Sequence, residues 1–98
     1  MRLGILVNTD RNLKHILGIT EAALMKGHEV SIFIMDEGVR LLRDERFTAL
    51  CKKVSMSFCD LSTHVLGVSK EGIPEEIICG SQYNNAVMVH EAQKVLVL

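Results

Sequence analysis

The sequence predicts an α/β fold, a three-layer α/β/α sandwich around a mainly parallel sheet of four to five strands. Three observations carry this expectation. Short apolar runs alternate along the chain with segments of helical period. The stretches between the runs are long enough for the crossovers that parallel strands require, and such crossovers are right-handed. The first run is apolar throughout, as in a strand covered on both faces.

Leu3-Gly4-Ile5-Leu6-Val7 is that first strand, and Asn8-Thr9-Asp10 supplies turn and N-cap chemistry after it. From Asn12 to Lys26 the period becomes helical. Leu13, Ile16, Leu17, Thr20, Ala23 and Leu24 share one face, and Gly27 ends the helix. Glu29 to Met35 is a second strand rich in branched and aromatic residues, broken by Asp36-Glu37-Gly38. Val39, Leu42, Phe47 and Leu50 outline a second amphipathic helix. Arg40, Asp44, Glu45 and Lys52 form its solvated face.

Val54 to Cys59 is the third strand, with Ser55 and Ser57 marking a less buried face. A short helix from Asp60 to Leu66 ends at Gly67, and Pro74 starts a helical turn. Ile77-Ile78-Cys79 reads equally as a short strand or as the tail of that turn. Ser81 is a good N-cap for a helix reaching about Ala92, and Lys94 to Leu98 closes the chain as a strand. In the last helix Tyr83, Ala86, Val87, Met88 and Val89 leave little polar surface. Such a helix is expected to be buried on most sides, most simply against another subunit.

The chain has 98 residues, which predicts one domain spanning 1–98. Hydrophobic residues make up 48 % of it, a high share for so small a domain, and this too points to homo-oligomerisation. Net charge is -1 and no Lys/Arg block appears, so nucleic acid is not an expected partner. No apolar segment approaches the ~20 residues that cross a bilayer. Met1-Arg2 leads straight into the first strand without a cleavage-site pattern. A cytoplasmic location with reduced cysteines is the expectation.

No cofactor is predicted. The first strand-helix turn lacks G-x-G-x-x-G, no P-loop pattern occurs, and Asp10 would repel a phosphate. No metal is predicted either. Cys51, Cys59 and Cys79 lie 8 and 20 residues apart without a C-x-x-C pair, and the four histidines make no H-x-x-x-H.

The three thiols differ in position. Cys51 falls beside the apolar face of the second helix and reads as packing. Cys59 ends the third strand where a helix begins, a place that favours the thiolate and where α/β folds carry their sites. Asp60 beside it opposes ionisation unless its carboxylate turns away. From the residues alone, Cys59 is either a working thiol or a small buried hydrophobe. His64, five positions on, is a candidate partner for a Cys59 thiolate, and Cys79 is a candidate second thiol.

The whole chain resembles the DsrE/DsrF-like family of small α/β proteins in intracellular sulfur oxidation and tRNA-thiolation sulfur relay. The resemblance lies in the opening strand and helix and in Phe33-Ile34-Met35-Asp36-Glu37-Gly38-Val39. It continues in the strand ending at Cys59, in Gly80-Ser81 with its helix, and in Glu91-Ala92-Gln93-Lys94-Val95-Leu96-Val97-Leu98. Two departures stand out. Gln93 replaces a usual acid, and the segment from Cys59 to Gly80 is short enough for the fourth strand to be reduced or absent. The resemblance implies that Cys59 carries sulfane sulfur as a persulfide between a sulfur-donor and a sulfur-acceptor protein. It also implies homo- or hetero-oligomers, commonly trimers or hexamers, with paralogous subunits in some. Two alternatives stand beside it: a non-catalytic oligomeric scaffold, and a redox switch that pairs Cys59 with Cys79.

Overall fold

Branched and aromatic residues set the strands, and connection handedness sets the layers. The computed structural model describes residues 1–98. Its strands are β1 (Arg2–Val7), β2 (Glu29–Ile34), β3 (Ser55–Cys59), β4 (Ile77–Gly80) and β5 (Lys94–Val97). All pair in parallel, in the order β4-β3-β2-β1-β5. The first three crossovers each step to the next strand in one direction. Right-handed connections therefore put α1 (Leu13–Met25), α2 (Glu45–Thr48) and α3 (Asp60–Leu66) on one face. The last crossover runs the other way, from β4 to the far edge beside β1. Its helix α4 (Gln82–Glu91) must then cover the opposite face, and the three layers follow.

Strand alternation divides the core accordingly. The larger cluster packs Ile5, Ile32 and Phe58 from the sheet against Ile16, Val39 and Phe47 from the first two crossovers. The smaller one, under α4, holds Phe33, Cys59 and Met88, with Leu6 and Met35 packed beside them.

One segment differs from the sequence expectation and one open alternative is resolved. The run from Val39 to Leu50 is not one helix. A 3-10 helix (Asp36–Arg43), α2 and a second 3-10 helix (Ala49–Lys52) follow one another. The break is at Asp44. Its backbone is extended and its carboxylate accepts the Arg46 N–H at 2.9 Å, so it caps a new helix instead of continuing the old one. The apolar face survives the break, since Val39, Leu42, Phe47 and Leu50 are all buried. The fourth strand, which the sequence left open, is present. β4 pairs with β3 in the register Met56↔Ile77 and Phe58↔Cys79, and burial of Ile77 in the main core anchors it.

The turn after β2 fixes the chain near the carboxyl edge of the sheet. Asp36 takes a left-handed backbone (φ 49°). Gly38 then lies so close to β1 that any Cβ would run into the Val7 carbonyl. The start of α4 is fixed by a reciprocal cap, as expected for Ser81. Its hydroxyl accepts the Tyr83 N–H at 3.2 Å, while the Asn84 side chain accepts the Ser81 N–H at 3.0 Å. Ser81→Ala is expected to lose about 1 kcal/mol of stability. Urea denaturation checks this, and an unchanged midpoint would mean that the cap adds nothing.

Within one chain α4 is not buried on most sides. It buries Met88, while Tyr83 is 74 % exposed and Val89 47 %. The edge strand β5 also leaves Val95, Leu96 and Val97 exposed. No helix is long and apolar enough to cross a membrane.

Candidate functional site

The helices after β3 and β4 leave toward opposite faces of the sheet. A crevice therefore opens between the carboxyl ends of these neighbouring strands, the place where α/β sheets form sites. Cys59 lies at that point, paired with Gly80 across the two strands. It is also the N-cap residue of α3, with the extended backbone (φ −82°, ψ 114°) that this position takes.

The Cys59 side chain points toward α4. It packs with Phe33 and Met88 and is 5 % exposed. Gln82, the first residue of α4, spans the mouth of the crevice, with its Nε2 3.6 Å from the Met35 sulfur. Ser62 stands at the third position of α3. Its hydroxyl oxygen accepts the Asp36 N–H at 3.0 Å, which leaves its own proton free to donate.

These neighbours set the charge on the sulfur. Burial pushes the Cys59 thiol up. The Ser62 hydroxyl and N–H, the Gln82 side chain and the Leu61 N–H favour the anion and outweigh burial, so the thiol lies below the ordinary range for cysteine. The thiolate, the nucleophilic form, is thereby enriched at neutral pH.

Asp60 does not oppose this, because its carboxylate is engaged elsewhere. Oδ1 accepts from Lys70 Nζ at 2.6 Å, and Oδ2 lies 3.4 Å from His64 Nε2. The Thr63 hydroxyl, bound to the Asp60 carbonyl at 2.6 Å, stiffens the turn. The Lys70 ammonium in turn holds the Asp60 carboxyl below the usual range.

The three sequence-predicted residues thus separate. Cys59 occupies the crevice. His64 faces Asp60, four residues back on its own helix, and makes no hydrogen bond to the Cys59 sulfur. Cys79 is exposed on β4 and stands opposite Phe58, so its side chain leaves the sheet on the Phe58 face while Cys59 leaves on the other. Adjacent strands bring the two backbones near, but the thiols diverge, an orientation unsuited to a disulfide. Desolvation of its sulfur and a hydrogen bond to the Asp60 carboxylate push the Cys79 thiol up. Cys51 is buried in the main core, as its position on an apolar face implied.

Sequence reasoning missed Ser62, Gln82, Met35 and Lys70. Ser62 had a signal, since a residue three after an N-cap faces the capping side chain. Gln82 and Lys70 had none, because only the pairing of β3 with β4 brings them to Cys59 and Asp60.

A family model described as the DsrE/DsrF-like family matches residues 1–98. No curated protein matches the chain. Among solved structures, the ychN protein from E. coli is similar over 100 % of both chains, with a TM-score of 0.79 and 16 % identity. The protein of unknown function MTH1491 from Methanobacterium thermoautotrophicum is similar over 99 % of this chain and 98 % of its own, with a TM-score of 0.69 and 14 % identity. At these identities the two structures support the fold alone.

Proposed function

Because the chain belongs to the DsrE/DsrF-like family, and because Cys59 is a strand-end thiol whose neighbours favour its anion, we propose that it is a sulfur-relay protein carrying sulfane sulfur on Cys59. The observation that carries this reading is the thiolate-favouring environment of a single thiol in the β3–β4 crevice. Loading is a thiol exchange. The Cys59 thiolate attacks the outer sulfur of a donor persulfide, the donor's S–S bond breaks, and the donor leaves as its thiolate. Cys59 then holds the sulfur as Cys-S-SH. Delivery repeats the step with an acceptor thiolate attacking the outer sulfur, and it restores the Cys59 thiolate. No electrons are gained or lost overall, so no oxidant is required.

The Ser62 hydroxyl and the Gln82 amide are the groups placed to steady the anion before and after loading. Low exposure of Cys59 means that Gln82 or Met35 must move to admit a donor. A reducing compartment suits this chemistry, and the cytoplasm is the proposed location. The apolar outer surface of α4 and the exposed β5 favour assembly with further copies or with paralogous subunits.

The test is incubation with inorganic polysulfide followed by intact mass and peptide mapping. One added sulfur, reversible by reductant and confined to the Cys59 peptide, is expected. No gain, or a gain located on Cys51 or Cys79, would overturn the reading. Burial of Cys59 favours a second reading, a partner-binding subunit without chemistry. That reading predicts alkylation of Cys59 only after unfolding.

A further inference from the structure

The helix α3 turns an apolar ridge to solvent. Leu61 is 69 % exposed and Val65 72 %, one turn apart on the same side of the helix. The ridge borders a groove of about 250 Å³, completed by Ser62 and Leu66 and by Asp36 and Glu37 from the turn after β2. Two carboxylates and no cationic side chain line it. Glu37 is engaged with Arg40, whereas Asp36 enters no ion pair. The groove adjoins the thiol crevice. Leu61 and Ser62 follow Cys59 in the first turn of α3, and the Ser62 hydroxyl accepts the Asp36 N–H at 3.0 Å. Met35, which packs beside Cys59, directly precedes Asp36.

We propose that this groove is the docking site for the thiol protein that exchanges sulfur with Cys59, and that it takes an extended segment carrying an aliphatic side chain and a lysine or arginine next to the partner's reactive cysteine. The partner's identity as a sulfur donor or acceptor rests on the sulfur-carriage reading; the chemistry of the dock does not. Size favours a side chain, since small-molecule pockets span roughly 300–1,000 Å³. Two adjacent exposed aliphatic residues reward burial by an apolar group. Charge selects the rest of the segment. A cation meets the free Asp36 carboxylate with Glu37 beside it, while an acidic segment is repelled by both. Further copies of this chain are a poorer match. The apolar surface suited to them lies on α4, across the sheet from α3, so assembly there leaves the groove open. The position also answers the burial of Cys59. A donor has to displace Met35 or Gln82, and binding beside Met35 offsets the cost of that opening.

The experiment uses four short peptides on the full-length protein. Each carries one cysteine as its pyridyl disulfide, preceded by Arg-Leu, Glu-Leu, Arg-Ser or Glu-Ser. The protein thiolate attacks the peptide sulfur, the S–S bond breaks, and the departing sulfur leaves as thiopyridone after taking a proton. Absorbance gives the rate and peptide mapping gives the cysteine. Cys79, exposed and directed to the other face, is the internal control. Cys59 is expected to react about fivefold or more faster with the Arg-Leu peptide than with the Glu-Ser peptide at low salt. The thiolate itself attracts a cation, so the variants decide. Asp36→Asn should cut the preference for Arg over Glu by about half or more. Asparagine tolerates the left-handed backbone of Asp36, so the turn is kept. Leu61→Gln combined with Val65→Thr should remove the preference for Leu over Ser, and both positions are exposed enough for the fold to survive. Iodoacetamide should alkylate Cys59 within about twofold of the wild-type rate in every variant. An unchanged charge preference in Asp36→Asn would overturn the proposal, as would an unchanged apolar preference in the double variant. The same preferences at Cys79 would overturn it too, and so would an equal change in the iodoacetamide rate, which reports a disturbed thiol and not a lost dock. Disulfide exchange needs no sulfane sulfur. A protein that fails to load polysulfide yet keeps these preferences retains the dock, and one that loads but shows none of them loses only the dock.

Discussion

Cys59→Ser is expected to abolish sulfur loading while leaving the fold intact. The loss should be complete, because a serine hydroxyl is not ionised near neutral pH and cannot hold a sulfane sulfur. The fold should survive for a positional reason. Cys59 is the N-cap of α3, and serine is among the best residues there, since its oxygen accepts the N–H groups of the first turn. The Leu61 and Ser62 N–H groups that favour the thiolate can serve the hydroxyl in the same way. Urea denaturation should place the variant within about 0.5 kcal/mol of wild type. Mass spectrometry after polysulfide treatment should find no added sulfur. Loading equal to wild type would move the chemistry to another cysteine, and a destabilised variant would refute the capping argument.

Phe33→Ala is expected to cost about 3–5 kcal/mol. Phe33 is 0 % exposed and forms the small cluster under α4 with Cys59 and Met88. A domain of this kind has a total stability of about 5–15 kcal/mol, so the variant loses a large share of it. The effect should reach the site as well. Removing the ring opens a cavity against the Cys59 side chain, and iodoacetamide should reach the sulfur faster than in wild type. Phe33→Leu should recover most of the stability. A loss under about 1 kcal/mol, read from the urea midpoint, would mean that α4 does not pack on β2 as described.

Much of the sheet was legible because its signals are local. The apolar run at Leu3–Val7, the helical period after Asn12 and the Gly27 stop need no distant partner to be read. The same holds for the strand that ends at Cys59, the Ser81 cap and the closing strand. What failed was context. Asp44 was read as part of a charged face, yet its short side chain competes for backbone N–H groups and starts a new helix instead. Ile77–Cys79 has no period of its own, and only burial of Ile77 against β3 makes it a strand. Strand order was out of reach because the β1–β5 pairing joins the two ends of the chain. In the site, Cys59 was legible from its place between strand and helix. The direction of the Asp60 carboxylate was not, because Lys70 sets it across a loop.

The reversal of the last crossover also bears on how the molecule opens. β1 through β4 pair by successive short-range steps, whereas α4 and β5 must return across the whole sheet to close it. Contacts of such long sequence separation carry the larger loop-closure cost in folding. The cover over Cys59, made by Gln82 and Met88, belongs to this returning segment. Detachment of α4 and β5 together is the expected partial opening, because Ile5, Ile32 and Phe58 of the main core lie on the other face of the sheet. In hydrogen exchange the α4 and β5 amides would lose protection ahead of those in β2 and β3. If that order is observed, Cys59 is reached through a partial opening of the native state, and its alkylation in the folded protein should keep pace with exchange in α4.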